Sequence, residues 1–162
     1  MPLDLFRIDE RLLHGQVIVG WGMRLGLERY VVVDDELAAS DWEQDLYSAG
    51  LPPEASAVFL SLAEVPTRLP ALIDAPGAGA VLTRSTAAMR AIAEAGLLEG
   101  RRVNVGGLHD SDGRRRALRY VALRPDEADD LRAIEAAGAT VSARDIPTSR
   151  QVSLAELLDA VD

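Results

Sequence analysis

The sequence predicts an α/β fold, a single domain built on an open, mostly parallel seven-stranded sheet with helices on both faces. Three observations carry this expectation. Short runs of aliphatic and β-branched residues alternate with longer helical stretches along the whole 162-residue chain, the pattern of a parallel sheet wound with helices. Hydrophobic residues make up 48% of the chain but aromatic ones only 4%, so the interior rests on Val, Leu, Ile and Ala, as in sheets buried on both faces. No repeat, low-complexity tract or linker interrupts a length that suits one core, so residues 1–162 read as one domain.

In chain order, Leu3 to Ile8 predicts the first strand, followed by a polar loop and a helix from about Gly15 to Leu25. Arg29 to Val33 is an apolar run too short for a helix, and Asp34 and Asp35 stand where they cap a helix reaching about Ala49. Leu51-Pro52-Pro53 ends that helix, Ala57 to Leu60 is the third strand, and Leu62 to Ile73 has helical spacing made irregular by Pro66 and Pro70. Ala80 to Thr83 is the fourth strand, Thr86 to Ala95 a helix closed by Gly96, and Arg102 to Val105 the fifth strand, stopped by Gly106-Gly107. Leu118 to Leu123 reads as the sixth strand. Pro125, a first-turn proline, opens a helix to Ala137. Ala139 to Ala143 is the seventh strand and Leu154 to Val161 a terminal helix.

Charge and composition exclude several function classes. A formal net charge of −9 disfavours a nucleic-acid partner. All the basic residues are Arg, so lysine Schiff-base chemistry and a Walker-type lysine are excluded, and the lack of cysteine removes disulfides, thiolate catalysis and cysteine-held metals. No cofactor and no metal site is expected. The start, Met1-Pro2-Leu3-Asp4-Leu5, has no basic segment leading into an apolar one, and no apolar run reaches about 18 residues. A cytoplasmic location is the expectation.

In open α/β sheets, ligands bind beyond the carboxyl ends of the strands. The loop after the first strand is the informative one. It sets His14 beside Gly15 at a predicted helix start, where the amides of Gly15, Gln16 and Val17 are expected to favour an anion, with Arg7 and Arg11 offering forked donors to phosphoryl oxygens. A neutral imidazole within such a cradle has what phosphoryl transfer needs, which is chiefly positioning and charge stabilisation. Asp9 or Glu10 is expected to orient the ring. On these residues alone a solvated histidine and a nucleophilic one stand at even odds.

The run Arg7-Ile8-Asp9-Glu10-Arg11-Leu12-Leu13-His14-Gly15-Gln16-Val17 closely resembles the phosphorylation-site loop of the sorbose/mannose-family IIB subunits of the bacterial phosphoenolpyruvate-dependent sugar phosphotransferase system. Val31-Val32-Val33-Asp34-Asp35-Glu36 with Ala38 and Asp41 looks like that family's second strand and following helix, and Asn104-Val105-Gly106-Gly107 like its strand ending in paired glycines. The resemblance implies a mainly parallel seven-stranded sheet, His14 as the phosphorylated histidine, Arg11 as the arginine assisting transfer to sugar, and Asp9 as an acidic partner in the loop. It implies a protein-phosphohistidine–sugar phosphotransferase component that accepts phosphoryl from a IIA protein and passes it to sugar at the membrane IIC/IID permease. With sugar choice lying in the permease, no sugar-reading pocket is expected here. An orphan regulatory phosphoprotein, accepting phosphate on His14 and signalling through partners, is the alternative.

Other candidates carry bland readings. His109, with Asp110 and Asp112, reads as a polar turn before a metal site. Asp34 and Asp35 read equally as helix caps and as groups orienting His14, whereas in Thr83-Arg84-Ser85-Thr86 the reading of Ser85 or Thr86 as an N-cap comes before hydroxyls holding a phosphoryl group. Arg114-Arg115-Arg116 reads as a solvated turn, and Trp21 and Trp42 as packing residues.

Overall fold

The computed structural model describes residues 3–162; Met1 and Pro2, on which part of the leader reading rests, lie outside the described residues. Strand β1 (Leu3–Asp9) occupies the centre of a seven-stranded sheet, flanked by β4 (Gly79–Thr83) and β5 (Arg102–Gly107). Beyond β4 lie β2 (Arg29–Val33) and β3 (Ser56–Leu60), and beyond β5 lie β8 (Thr140–Ala143) and β9 (Val152–Ser153). Every neighbouring pair is parallel except β8 and β9.

The seven-stranded, mostly parallel expectation holds, but its membership differs in one strand. Leu118 to Leu123 is not one strand: β6 (Arg115–Leu118) and β7 (Val121–Leu123) form a separate antiparallel hairpin turning at Arg119 and Tyr120. The seventh place is taken by β9, whose two residues are too short to announce themselves as a periodic run.

Helices cover both faces, because side chains alternate along each strand. On one face Phe6, Ile8, Val81 and Val105 pack against α4 (Val65–Asp74), α5 (Thr86–Glu94), α6 (Pro125–Ala136) and α7 (Leu154–Asp159). On the other, Leu5, Val32 and Leu82 pack with Leu12, Val17 and Trp21. That second face is covered by a π-helical stretch, Gln16–Trp21, continuing as α1 (Gly22–Leu25), together with α2 (Asp35–Ala38) and α3 (Asp41–Ser48). The predicted helix from Gly15 to Leu25 therefore exists, with its first half wound as a π-helix. The predicted helix to Ala49 is broken between α2 and α3, with Ser40 at the N-cap position of α3.

The chain leaves β1 toward one face, and leaves β4 directly, and β5 by way of the β6–β7 hairpin, toward α5 and α6 on the other. This opens a crevice at the carboxyl end of the central strand, where an α/β sheet places its ligands. Among the described residues no helix is long and apolar enough to cross a membrane.

Candidate functional site

Alternation puts Leu5, Arg7 and Asp9 on the same face of β1. Where Leu5 meets apolar cover, Arg7 and Asp9 are fully buried and meet each other, Arg7 Nη2 lying 3.1 Å from Asp9 Oδ2. Arg7 Nη1 donates to Asn104 Oδ1 and to the carbonyl of Arg144 at 3.0 Å, and Nη2 donates also to the carbonyl of Asp145 at 2.9 Å. The ring of Trp21 closes over the guanidinium, its centroid 5.4 Å from Cζ, and its indole N–H donates to the same Asp145 carbonyl at 2.9 Å.

The paired glycines of β5 are explained by these side chains. A Cβ on Gly106 would stand 2.0 Å from Arg7 Cζ, and a Cβ on Gly107 would stand 3.0 Å from both Arg11 Nη2 and Asp9 Oδ1. The register between β1 and β5 slips here, Ile8 facing Val105 but Asp9 facing Gly107, so Gly106 is the extra residue of a bulge. Only a strand without side chains lets two arginines lie across it.

After Asp9 the chain turns sharply. Leu12 takes φ +54°, a left-handed conformation costing roughly 1–2 kcal/mol for a non-glycine residue, and its N–H donates to the Asp9 carbonyl at 3.0 Å. The Leu12 side chain is fully buried, which holds the turn in place. The turn returns His14 over Asp9, with Nε2 2.9 Å from Asp9 Oδ2. Because an ionised carboxylate only accepts, Nε2 carries the proton. Nδ1 then has the lone pair, and the Gln16 N–H donates to it at 3.3 Å.

Arg11 grips both oxygens of Asp9, through Nε and Nη2 at 3.1 Å each, and its backbone N–H adds a third contact at 3.0 Å. Nη2 also reaches Gln16 Oε1 at 2.9 Å. The side chain remains 45% exposed, and Nη1 meets no acceptor among the described residues. Asp9 thus has three cationic or polar partners. Burial pushes its carboxyl up, but hydrogen bonds from His14 and from the side chain and backbone of Arg11, with the charge of Arg7, outweigh it and hold the carboxyl well below the usual carboxylate range. Burial in turn lowers the Arg7 guanidinium, with Asp9 opposing.

The predicted site residues divide accordingly. Asp9, Arg11, His14 and Gln16 come together as one cluster. Arg7 is a correction: buried, with both terminal nitrogens engaged, it holds Asp9 and cannot reach a ligand at the surface. Val17 is another, because its N–H and that of Ile18 donate to the His14 carbonyl, at 3.1 Å and 2.9 Å, leaving the amides of Gly15 and Gln16 nearest the ring.

Asp9, and not Glu10, orients the imidazole; Glu10 pairs with His109 and Arg114. Asp34 caps α2 by accepting from the Leu37 N–H at 3.0 Å, Asp35 accepts from the Leu62 N–H at 2.8 Å, and neither bonds His14. Ser85 caps α5, accepting from the Ala88 N–H at 3.1 Å. Arg114 departs from the solvated-turn reading, being nearly buried between Glu10 and Glu127. Among the described residues no group of three or more His, Cys, Asp or Glu side chains is arranged to hold a metal ion.

Two features escaped the sequence. Trp21, Asn104 and the Arg144-Asp145 backbone form the seat of Arg7, yet lie up to 138 residues from it in the chain. A cleft of about 240 Å³ also opens between the His14 loop and the β6–β7 hairpin, lined by Arg11, Gln16, His109, Arg119 and Tyr120.

Comparison with known proteins identifies the family and the fold. A family model described as "PTS system sorbose subfamily IIB component" matches residues 3–161. The Escherichia coli K12 N-acetylgalactosamine-specific phosphotransferase enzyme IIB component 1 is 31% identical over 145 residues, covering 88% of this chain and 90% of that protein. The mannose-specific EIIAB component of the same strain is 26% identical across 100% of this chain, which spans 50% of that longer protein. In fold, the chain is similar to the IIBSor domain of the sorbose permease from Klebsiella pneumoniae, with a TM-score of 0.87 at 21% identity over 100% of this chain and 99% of that one.

Proposed function

The chain belongs to the sorbose-subfamily IIB components of the sugar phosphotransferase system, and we propose that it carries phosphoryl groups on His14, from a IIA protein to a sugar held by a IIC/IID permease at the cytoplasmic side of the membrane. Residues 1–162 act in this reading as one unit.

The single observation that carries the reading is the pairing of His14 Nε2 with Asp9, which leaves Nδ1 unprotonated on a partly exposed ring. In the loading step the Nδ1 lone pair attacks the phosphorus of the donor phosphohistidine in line, the donor P–N bond breaks, and the donor imidazole departs with its electron pair. His14 becomes positively charged as the new bond forms, and the buried Asp9 carboxylate, kept ionised by Arg7 and Arg11, balances that charge through Nε2. The Gln16 N–H, which in the free protein donates to Nδ1, is placed to turn to a phosphoryl oxygen. The space above Gly15 is open, since a Cβ there would meet nothing within 4 Å.

In the unloading step a sugar hydroxyl oxygen attacks phosphorus, the His14 N–P bond breaks, and the hydroxyl proton is released. The exposed Arg11 Nη1 supplies donors for the oxygens in flight. His14→Ala is expected to abolish phosphorylation by phospho-IIA, while Arg11→Gln is expected to accept phosphoryl still but to lose transfer to sugar. Histidine-bound phosphate on the His14→Ala variant would reject the assignment.

A further inference from the structure

Among the described residues four large apolar side chains stand in solvent: Val19, Met23, Trp42 and Leu46, at 59%, 77%, 68% and 65% exposure. Trp42 and Leu46 are one turn apart on α3, so they share its outward face. This helix fully buries none of its residues. With Leu13, Tyr47 and Glu43, Trp42 and Leu46 line a hollow of about 500 Å³ that Glu36 and Arg84 close. Packing accounts for Trp21, which is buried, but leaves Trp42 mostly exposed.

We propose that this hollow is the docking seat of the phosphohistidine carrier protein that loads His14, and that this carrier presents an apolar centre ringed by basic side chains. The inference rests on the phosphocarrier reading above. Its first support is position. Leu13 immediately precedes His14, Glu36 follows β2 and Arg84 follows β4, so the hollow lies on the carboxyl edge of the sheet and shares a wall with the His14 loop. In-line transfer brings reacting atoms within about 3–3.5 Å, so any protein donor must press on the surface around that loop.

Its second support is charge. Glu36 and Glu43 line the hollow, and the exposed Asp41 and Asp45 stand beside Trp42 and Leu46 in the sequence of α3. Arg84, the one cation lining the hollow among the described residues, is already paired with Asp34 at 3.5 Å and Glu36 at 3.7 Å. An acidic rim around an exposed tryptophan selects a partner with complementary basic groups, and aromatic anchors of this kind dominate interface energetics.

The test is the rate of His14 phosphorylation as a IIA protein, itself phosphorylated through phosphoenolpyruvate, enzyme I and HPr, is varied in concentration. Trp42→Ala and Leu46→Ser are expected to raise the KM for the carrier roughly 10–30-fold while kcat at saturation stays within about twofold. Glu43→Arg is expected to raise KM and weaken its salt dependence. Phosphoramidate, a small phosphoryl donor that needs no docking, should label the wild type and all three variants equally, which also shows that they are folded.

An unchanged KM in both Trp42→Ala and Leu46→Ser would overturn the docking proposal. So would unchanged loading with a collapse of transfer to sugar in permease membranes, which would assign the hollow to the membrane partner, or loss of a self-associated form on sedimentation with unchanged loading, which would assign it to a second copy. Absence of label from both donors in the wild type would instead strike the phosphocarrier reading itself.

Discussion

Replacing Gly106 by alanine tests whether the buried arginine is as fixed as its contacts imply. The added Cβ would lie 2.0 Å from Arg7 Cζ, 2.2 Å from Nη2 and 2.3 Å from Nε. Real Cβ contacts essentially never fall below 3.0 Å, so the guanidinium must retreat by about 1 Å or more. A flexible arginine end at the surface would do so at little cost. Here Nη1 and Nη2 are committed to Asn104, Asp9 and two carbonyls, and Trp21 closes one side. Losing one side of a buried ion pair typically costs about 3–5 kcal/mol. At about 2–4 °C per kcal/mol for a domain of this size, the melting temperature should fall by roughly 6–20 °C. Calorimetry or circular-dichroism melts measure this directly, and phosphorylation of His14 should fall with it because Asp9 loses its inner partner. A Gly106→Ala protein melting within about 2 °C of the wild type and labelling normally would refute the buried-arginine account.

Two neighbouring substitutions separate stability from chemistry. Gly107→Ala presses on Arg11 Nη2 and Asp9 Oδ1 at 3.0 Å each; the half-exposed Arg11 can swing aside, so the melting temperature should drop by only a few degrees, about 1 kcal/mol, while transfer to sugar falls on the order of 100-fold through misplacement of that arginine. Asp9→Asn removes a carboxyl whose folded pKa is depressed by its hydrogen bonds to His14 and Arg11 against the opposing effect of burial. A depressed pKa contributes stability that is complete above the ordinary carboxylate value of about 3.9 and is lost as pH falls toward the folded value. In urea melts, the gap between wild type and Asp9→Asn should be largest near pH 7 and narrow as pH falls from about 4 to 2; a gap that widens toward acid would contradict the sign of the shift.

Much of the fold was legible because buried parallel strands are written as compact apolar runs. Val31-Val32-Val33 and Ala80-Val81-Leu82 are wholly buried and were placed correctly from sequence alone. Leu118 to Leu123 misled because its apolar ends flank Arg119 and Tyr120, which form a turn and not a strand centre. Strand β9 left no signal because two residues show no period. At the site, the clustering of Asp9, Arg11 and His14 was legible because all three lie within one loop. The task of Arg7 was not, since its partners Asn104, Arg144 and Asp145 come from the far side of the sheet. From sequence, an arginine beside a reactive histidine reads as an anion ligand; burial turns it into the support of the carboxylate that holds the ring. The exposure of Trp42 was equally hidden, because a tryptophan inside a helix reads as a packing residue, whereas α3 buries none of its residues.

The central claim is that His14 carries the phosphoryl group on the nitrogen opposite Asp9. Its most direct test is to incubate the wild-type chain with phosphoenolpyruvate, enzyme I, HPr and a IIA protein, map the acid-labile phosphate by mass spectrometry, and identify the ring position by ³¹P and ¹⁵N NMR. The account predicts a single phosphate on Nδ1 of His14 that chases to sugar when permease membranes are added. Phosphate on Nε2, on His109, or absent despite a donor shown to be charged would contradict it.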